Sequence, residues 1–162
     1  EIDPRAAADA RRKGVKVIEQ DAAAAVAAVG GESFDCVICA DILEHLADPV
    51  AVLRDAVAAL RPGGNVIISV PNFCHWSVLY NLAVRREFPY AAAGIYDRTH
   101  LRITTRRGVA SWLEQVGLEQ QTCEFLMPRR RARWANAATC RLCREYLGRQ
   151  VLISARKPMV PA

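Results

Sequence analysis

Hydrophobic positions follow two rhythms along this chain. In Cys36-Val37-Ile38-Cys39-Ala40, and again over Asn65 to Val70, they run with little polar interruption. Short runs of this kind, rich in small and β-branched residues, suit strands covered on both faces, as in a parallel sheet. Between the two, Val50, Leu53, Val57 and Leu60 recur at spacings of three and four, which gives one apolar face of a helix. Asp48-Pro49 starts that helix, with a capping side chain followed by proline at the first helical position. The turn Arg61-Pro62-Gly63-Gly64 follows it, and Pro71 stops the second strand.

The same reading extends to both sides. Asp3-Pro4 opens a helix to Lys13, closed by Gly14, and Val15 to Ile18 is a short strand. Ala22 to Val29 is a helix closed by Gly30-Gly31. Beyond Pro71, residues 71–104 are less regular; Trp76 to Val84 reads as a helix, and the aromatic content argues against disorder. Thr105 to Val116 is a helix, Leu118 to Leu126 a strand, Arg131 to Arg144 a helix and Gln150 to Ala155 a last strand. Alternating strands and helices predict an α/β fold with a doubly wound, mostly parallel sheet, its last two strands forming an antiparallel edge. One domain over 1–157 is expected, with a loose tail from there to 162.

Composition changes this picture little. The 162 residues are 52% hydrophobic and 24% charged, as in ordinary globular domains. No apolar run approaches the roughly 20 residues of a membrane span, and no leader pattern is visible. The net charge of +5 is concentrated in Arg129-Arg130-Arg131-Ala132-Arg133 and Arg141 to Arg149; a solvated basic surface is the simpler reading than a nucleic-acid partner. Six cysteines include two C-x-x-C pairs, Cys36/Cys39 and Cys140/Cys143. Residues three apart in a strand point to opposite faces, so the first pair cannot chelate zinc. Buried, reduced cysteines in a cytoplasmic protein are expected instead.

The candidate chemistry lies where strands end. Polar groups appear abruptly after each: Glu1 and Asp3, then Asp21, then Asp41 with Glu44 and His45. Ligands of open α/β sheets bind outside the carboxyl ends of the strands, and an acidic group there grips ribose hydroxyls. The series therefore reads as a nucleoside crevice, although each Asp also serves as a helix cap. His45 has the chemistry of a general base near neutral pH. His75, Asp97 and His100 fall in the irregular segment, where Trp76, Tyr80, Phe88 and Tyr96 could line a pocket or simply pack.

The series EID, EQDA and FDCVICADILEHLADPVAVLRDAVAALRPGGNVIISVPN resembles class I S-adenosylmethionine-dependent methyltransferases. The LEH-x-x-DP run followed by L-x-PGG carries most of the likeness, and GIYDRTHLR resembles a bacterial branch. The resemblance implies a Rossmann-like sheet and S-adenosyl-L-methionine as cofactor. It implies cofactor contacts from Glu1 and Ile2 at the ribose, Asp21 and Ala22 at the adenine, and Ala40 and Asp41 near the methionine part. It places His45 near the transferred methyl; Asp97 and His100 match a family motif without a settled role, and His100 is kept as a second catalytic candidate. No metal is called for. The family's glycine-rich loop, first strand and first helix have no counterpart here, so an N-terminally truncated domain with weak cofactor binding of its own is expected. The implied reaction is methyl transfer to a small-molecule, saccharide or lipid-precursor acceptor. The alternatives are a nicotinamide-dependent oxidoreductase on a similar sheet and a non-catalytic nucleic-acid module using the basic C-terminal region.

Overall fold

A computed structural model of the chain describes residues 3–29, 34–127, 130–140 and 142–159. Helix α1 (Pro4–Arg12) starts where Asp3 accepts a hydrogen bond from Arg5 N at 2.8 Å. Helix α2 (Ala22–Ala28) follows Asp21, whose carboxylate accepts from Ala24 N at 2.9 Å. Strand β1 (Phe34–Ala40) leads through a 3-10 turn (Leu43–His45) to helix α3 (Pro49–Ala59), where Asp48 accepts from Ala51 N at 3.0 Å. Strand β2 (Leu60–Pro71) returns to the sheet. Each cap satisfies a backbone donor that the first helical turn leaves without an internal acceptor.

Helix α4 (Trp76–Tyr80) continues as a π-helical turn (Asn81–Arg85) and ends at Arg86 in the left-handed region, φ 54°. Helix α5 (Arg106–Gln115) is capped by Thr105, and strand β3 (Glu119–Leu126) follows. Helices α6 (Arg130–Ala138) and α7 (Arg144–Leu147) precede strand β4 (Gln150–Arg156). The sheet order is β1-β2-β4-β3. β1 and β2 are parallel, with Ile38 opposite Ile67; β2–β4 and β4–β3 are antiparallel. This is a Rossmann-like open α/β sheet with the antiparallel C-terminal edge that the sequence predicts.

The core lies on one face of that sheet. Val66, Ile68 and Val70 of β2 and Val151, Ile153 and Ala155 of β4 are fully buried with Leu53 of α3 and Val109 of α5. Burial of each Val, Leu or Ile side chain there is worth about 1.5–3 kcal/mol. Lys157 locks the end of β4 to the same core. Its Nζ donates to Val57 O (2.7 Å) and Leu60 O (2.6 Å) at the carboxyl end of α3, where a cation also meets the favourable end of the helix dipole.

Several expectations are corrected. Val15 to Ile18 makes no β-ladder among the described residues; Arg11 of α1 instead reaches the Val17 carbonyl (3.4 Å) and pairs with Glu19. β1 is an edge strand of the described sheet, and only one face is covered: Cys39 is buried, whereas Cys36 is exposed and Ile38 is 67% exposed. A strand's alternating faces are buried only where a layer covers each of them. Cys36 and Cys140 are therefore not core cysteines. The turn at 61–64 is absorbed into β2 as an irregularity, with Phe34 opposite Leu60 and Cys36 opposite Asn65. The single helix expected over 131–144 breaks after Ala138, where Thr139 Oγ1 donates back to Asn136 O (3.2 Å) and Cys140 turns left-handed at φ 48°. Lys157 is not loose: its N–H donates to Gly64 O, and its carbonyl accepts from Gly63 N. Among the described residues no helix is long and apolar enough to cross a membrane.

Candidate functional site

The topology gathers four chain ends at one edge of the sheet. β1 and β2 run parallel, so Ala40 and Pro71 finish on the same side. β4 starts there, with Gln150 opposite both Pro71 and Leu126. A cleft of about 610 Å³ opens over this edge, within the usual size of a small-molecule site. Asp41, Glu44 and His45 line it together with Asp97, His100, Arg149 and Gln150.

Asp41 leaves β1 in the left-handed region at φ 49°, a conformation that Asp tolerates better than most residues. Its N–H donates to Ser69 O (2.9 Å). Its carboxylate accepts from Ser69 Oγ (3.1 Å) and from Gln150 Nε2 at both oxygens (3.0 and 2.9 Å). Asp41 therefore ties β1, β2 and β4 together at the cleft.

The LEH turn and the DRTH segment, far apart in sequence, close over the same space. The Glu44 carbonyl accepts from Leu101 N (2.8 Å) and Arg102 N (3.1 Å). Fully buried Thr104 anchors the end of this segment to β2, with Oγ1 donating to Pro71 O (2.5 Å) and its carbonyl accepting from Phe73 N (3.0 Å). Phe73 meets the His100 ring edge-on at 6.1 Å. His45 and His100 then lie with ring centroids 4.8 Å apart, and His100 Nε2 is 4.0 Å from Glu44 Oε1.

Protonation in this wall follows from burial. Glu44 is 1% exposed. Loss of solvent pushes its carboxyl up; Asp41 adds to the rise, while a backbone hydrogen bond and His45 oppose it. Burial also pushes His100 down, with neighbouring His45 next in effect and Asp97 opposing. Both shifts favour the uncharged pair. Asp97 is held below the ordinary range by hydrogen bonds from Thr99, Oγ1 at 2.6 Å and N at 2.8 Å. A backbone hydrogen bond at Ile95 also holds His100, whereas Glu44 Oε2 is buried without a hydrogen-bond partner.

The cleft thus brings Asp41, His45 and His100 together. It is not lined by Asp21, Ala22 or Ala40: Asp21 is engaged as the cap of α2, Ala22 begins that helix, and Ala40 ends β1. Glu1 and Ile2 lie outside the described residues. The sequence marks Glu44 among the polar groups after β1 without giving it a role, and nothing local marks Gln150, whose role depends on a neighbour 109 residues away. The carboxylates of Asp41 and Asp97 with Arg149 in the same lining suit a ligand that carries positive charge beside a carboxylate.

Comparisons with known proteins agree with this architecture. The model of a methyltransferase-domain family matches residues 1–122. The ubiquinone biosynthesis O-methyltransferase of Parvibaculum lavamentivorans is 36% identical over 67 residues, which cover 41% of this chain and 26% of that protein. The enzyme of the same name from Xanthomonas axonopodis is 33% identical over 96 residues, 58% of this chain and 39% of its own length. The chain thus spans well under half of these curated relatives. A SAM-dependent methyltransferase from Archaeoglobus fulgidus superimposes with a TM-score of 0.69 at 19% identity, covering 97% of this chain and 74% of that one. The N-methyltransferase NodS from Bradyrhizobium japonicum, in complex with S-adenosyl-L-homocysteine, gives 0.57 at 15% identity over 98% and 64%. At such identities these structures speak to the fold.

Proposed function

The chain belongs to the methyltransferase-domain family, and on that premise we propose that the protein transfers a methyl group from S-adenosyl-L-methionine to a hydroxyl of a small-molecule or lipid-precursor acceptor. The observation that carries this reading is the acidic cleft at the carboxyl ends of β1 and β2, with two imidazoles in its wall. Relatives named as O-methyltransferases favour oxygen as the attacked atom.

The donor set of the cleft fits the cofactor's charge pattern. Asp41 would lie toward its methionine part, with Ala40 beside it. Asp21 and Ala22 at the start of α2 would meet the adenine, and Glu1 and Ile2 the ribose. When bound, S-adenosyl-L-methionine supplies a methyl group on a sulfonium, already activated for transfer. The protein then has to align the acceptor and take its proton; alignment alone can supply a large part of the rate.

His45 is suited to the proton. Its Nδ1 faces Thr99 O (3.2 Å) and Thr99 Oγ1 (3.1 Å), and that hydroxyl gives its own hydrogen to Asp97. Both Thr99 groups accept, so Nδ1 carries the hydrogen and Nε2 keeps its lone pair. His100, held neutral by burial, is the second acceptor in the same wall. The test is calorimetric titration of S-adenosyl-L-homocysteine. Saturable binding with a Kd of about 100 μM or tighter supports the reading. No binding of it, with binding of a nicotinamide cofactor instead, would transfer the protein to the oxidoreductase alternative.

A further inference from the structure

We infer that the methyl acceptor carries an oxyanion group, a carboxylate or a phosphate, and that Arg133 and Arg144 bind it in a second cavity beside the cleft. This cavity, about 370 Å³, lies between the end of β3 and helices α6 and α7. Arg133 of α6 and Arg144 of α7 line it, with Glu124 and Phe125 of β3. Leu126 and Met127 line both this cavity and the cleft, so the two spaces meet at those side chains. Naming the occupant as the acceptor rests on the methyl-transfer reading; the oxyanion site itself does not.

Charge and geometry favour an anion there. Among the described residues neither Arg133 nor Arg144 forms an ion pair, whereas Arg106 is engaged by Glu145 at 3.7 Å. Glu124 is the one carboxylate in the lining, so two guanidinium groups leave the cavity a net positive charge. The Arg144 guanidinium lies over the Phe125 ring, 5.8 Å from its centroid. Phe125 is 8% exposed and paired with Val151 across the sheet, so the ring itself is fixed. Stacking on a buried ring restricts the guanidinium without using its N–H donors. Those donors form a planar fork that matches the oxygens of a carboxylate or phosphate two at a time.

The two cavities have opposite electrostatic character. The cleft presents Asp41 and Asp97 against Arg149, which suits the cationic end of the cofactor. The second cavity presents Arg133 and Arg144 against Glu124. Leu126, 41% exposed, and Met127 supply the apolar surface between them. An acceptor laid across these two side chains keeps its apolar body on them, its hydroxyl toward His45 and its oxyanion on the arginines. Opposite charge draws the anionic end to the second cavity, and like charge keeps it away from Asp41 and Asp97. The arrangement therefore favours a hydroxylated acid or phosphate monoester over a neutral acceptor.

The test is calorimetric titration with phenyl phosphate and with benzoate at constant ionic strength, with phenol as the neutral control. Saturable binding with a Kd of about 1 mM or tighter is expected for at least one anion, and the tighter of the two identifies the oxyanion the site takes. Phenol should bind at least about 10-fold more weakly, and Arg133→Gln and Arg144→Gln should each weaken the anion by about 10-fold. Glu124→Gln removes the carboxylate from the lining and should tighten binding, an effect that misfolding cannot mimic. Titration of S-adenosyl-L-homocysteine into the same variants should be unchanged, because none of these three residues lines the cleft. No saturable binding of either anion, or affinity indifferent to both arginines, would overturn the proposal and leave a solvated basic surface. So would tighter binding of a mixed-sequence RNA oligonucleotide through the same arginines, falling steeply with salt, which would assign them to nucleic acid. Arginine-dependent anion binding without any binding of S-adenosyl-L-homocysteine would overturn the acceptor assignment alone, so the two failures are distinct results.

Discussion

Asn72→Ala should weaken the fold more than any exposed substitution near the cleft. Asn72 is fully buried just after β2. Its Nδ2 donates to Glu145 O (2.6 Å) and Gly148 O (2.9 Å), and its Oδ1 accepts from Cys74 N (3.1 Å). These bonds join the end of β2 to the α7–β4 connection, which sets Arg149 and Gln150 at the cleft. Alanine removes all three. At about 1 kcal/mol net for each, the loss is about 3 kcal/mol, before any extra cost of stranding the two carbonyls. With a urea m value of about 2 kcal/mol/M, the unfolding midpoint should fall by about 1.5 M at unchanged m.

Asn72→Asp separates the hydrogen-bond account from a packing account, because it keeps the volume. It places an oxygen against two carbonyl oxygens. The ionised form is repelled, and only the protonated form can donate one bond. The folded-state pKa of the introduced carboxyl is then raised above its unfolded value of about 3.9. Its stability is fully present below the unfolded pKa and is lost as pH rises through the folded pKa. Measured by urea unfolding followed by tryptophan fluorescence, the deficit against wild type should be smaller near pH 4 than at pH 7. An Ala variant within about 0.5 kcal/mol of wild type, or an Asp variant whose deficit ignores pH, would refute the reasoning.

Two further outcomes follow from close packing and burial. At Gly148 an added Cβ would sit 2.5 Å from Phe125 Cβ and 3.2 Å from Phe125 Cα, so Gly148→Ala must push β3 away from the start of β4; a loss of about 1–3 kcal/mol in urea unfolding is expected, and wild-type stability would show that the junction yields freely. The Cys39 thiol is pushed up to about 11 by burial, whereas Cys36 and Cys140 are exposed. Brief iodoacetamide treatment of the native protein at pH 8, read by mass spectrometry, should label Cys36 and Cys140 and spare Cys39 until denaturant is added; native labelling of Cys39 at the same rate would contradict its burial.

How much of this was legible in the sequence depended on whether the determinant was local. Asp3-Pro4, Asp48-Pro49 and Thr105 open α1, α3 and α5 as expected, because a cap and the donors it satisfies lie within three residues. The alternation of β1 was legible too: Cys36 and Cys39 do face opposite sides. The cover over those faces was not, because burial belongs to the neighbouring layer and not to the strand, and the same seven residues leave Ile38 67% exposed and Cys39 buried. The site divides in the same way. Position at the end of β1 pointed to Asp41 and His45. Nothing local pointed to the tie between Asp41 and Gln150, or to the meeting of His45 with Thr99 across 54 residues. That closure is also what turns Glu44 from one more polar residue in a loop into a buried carboxylate facing an imidazole. The proton transfer proposed for the cleft therefore rests on a long-range contact. Thr99→Val offers a handle on that contact that leaves LEH itself intact.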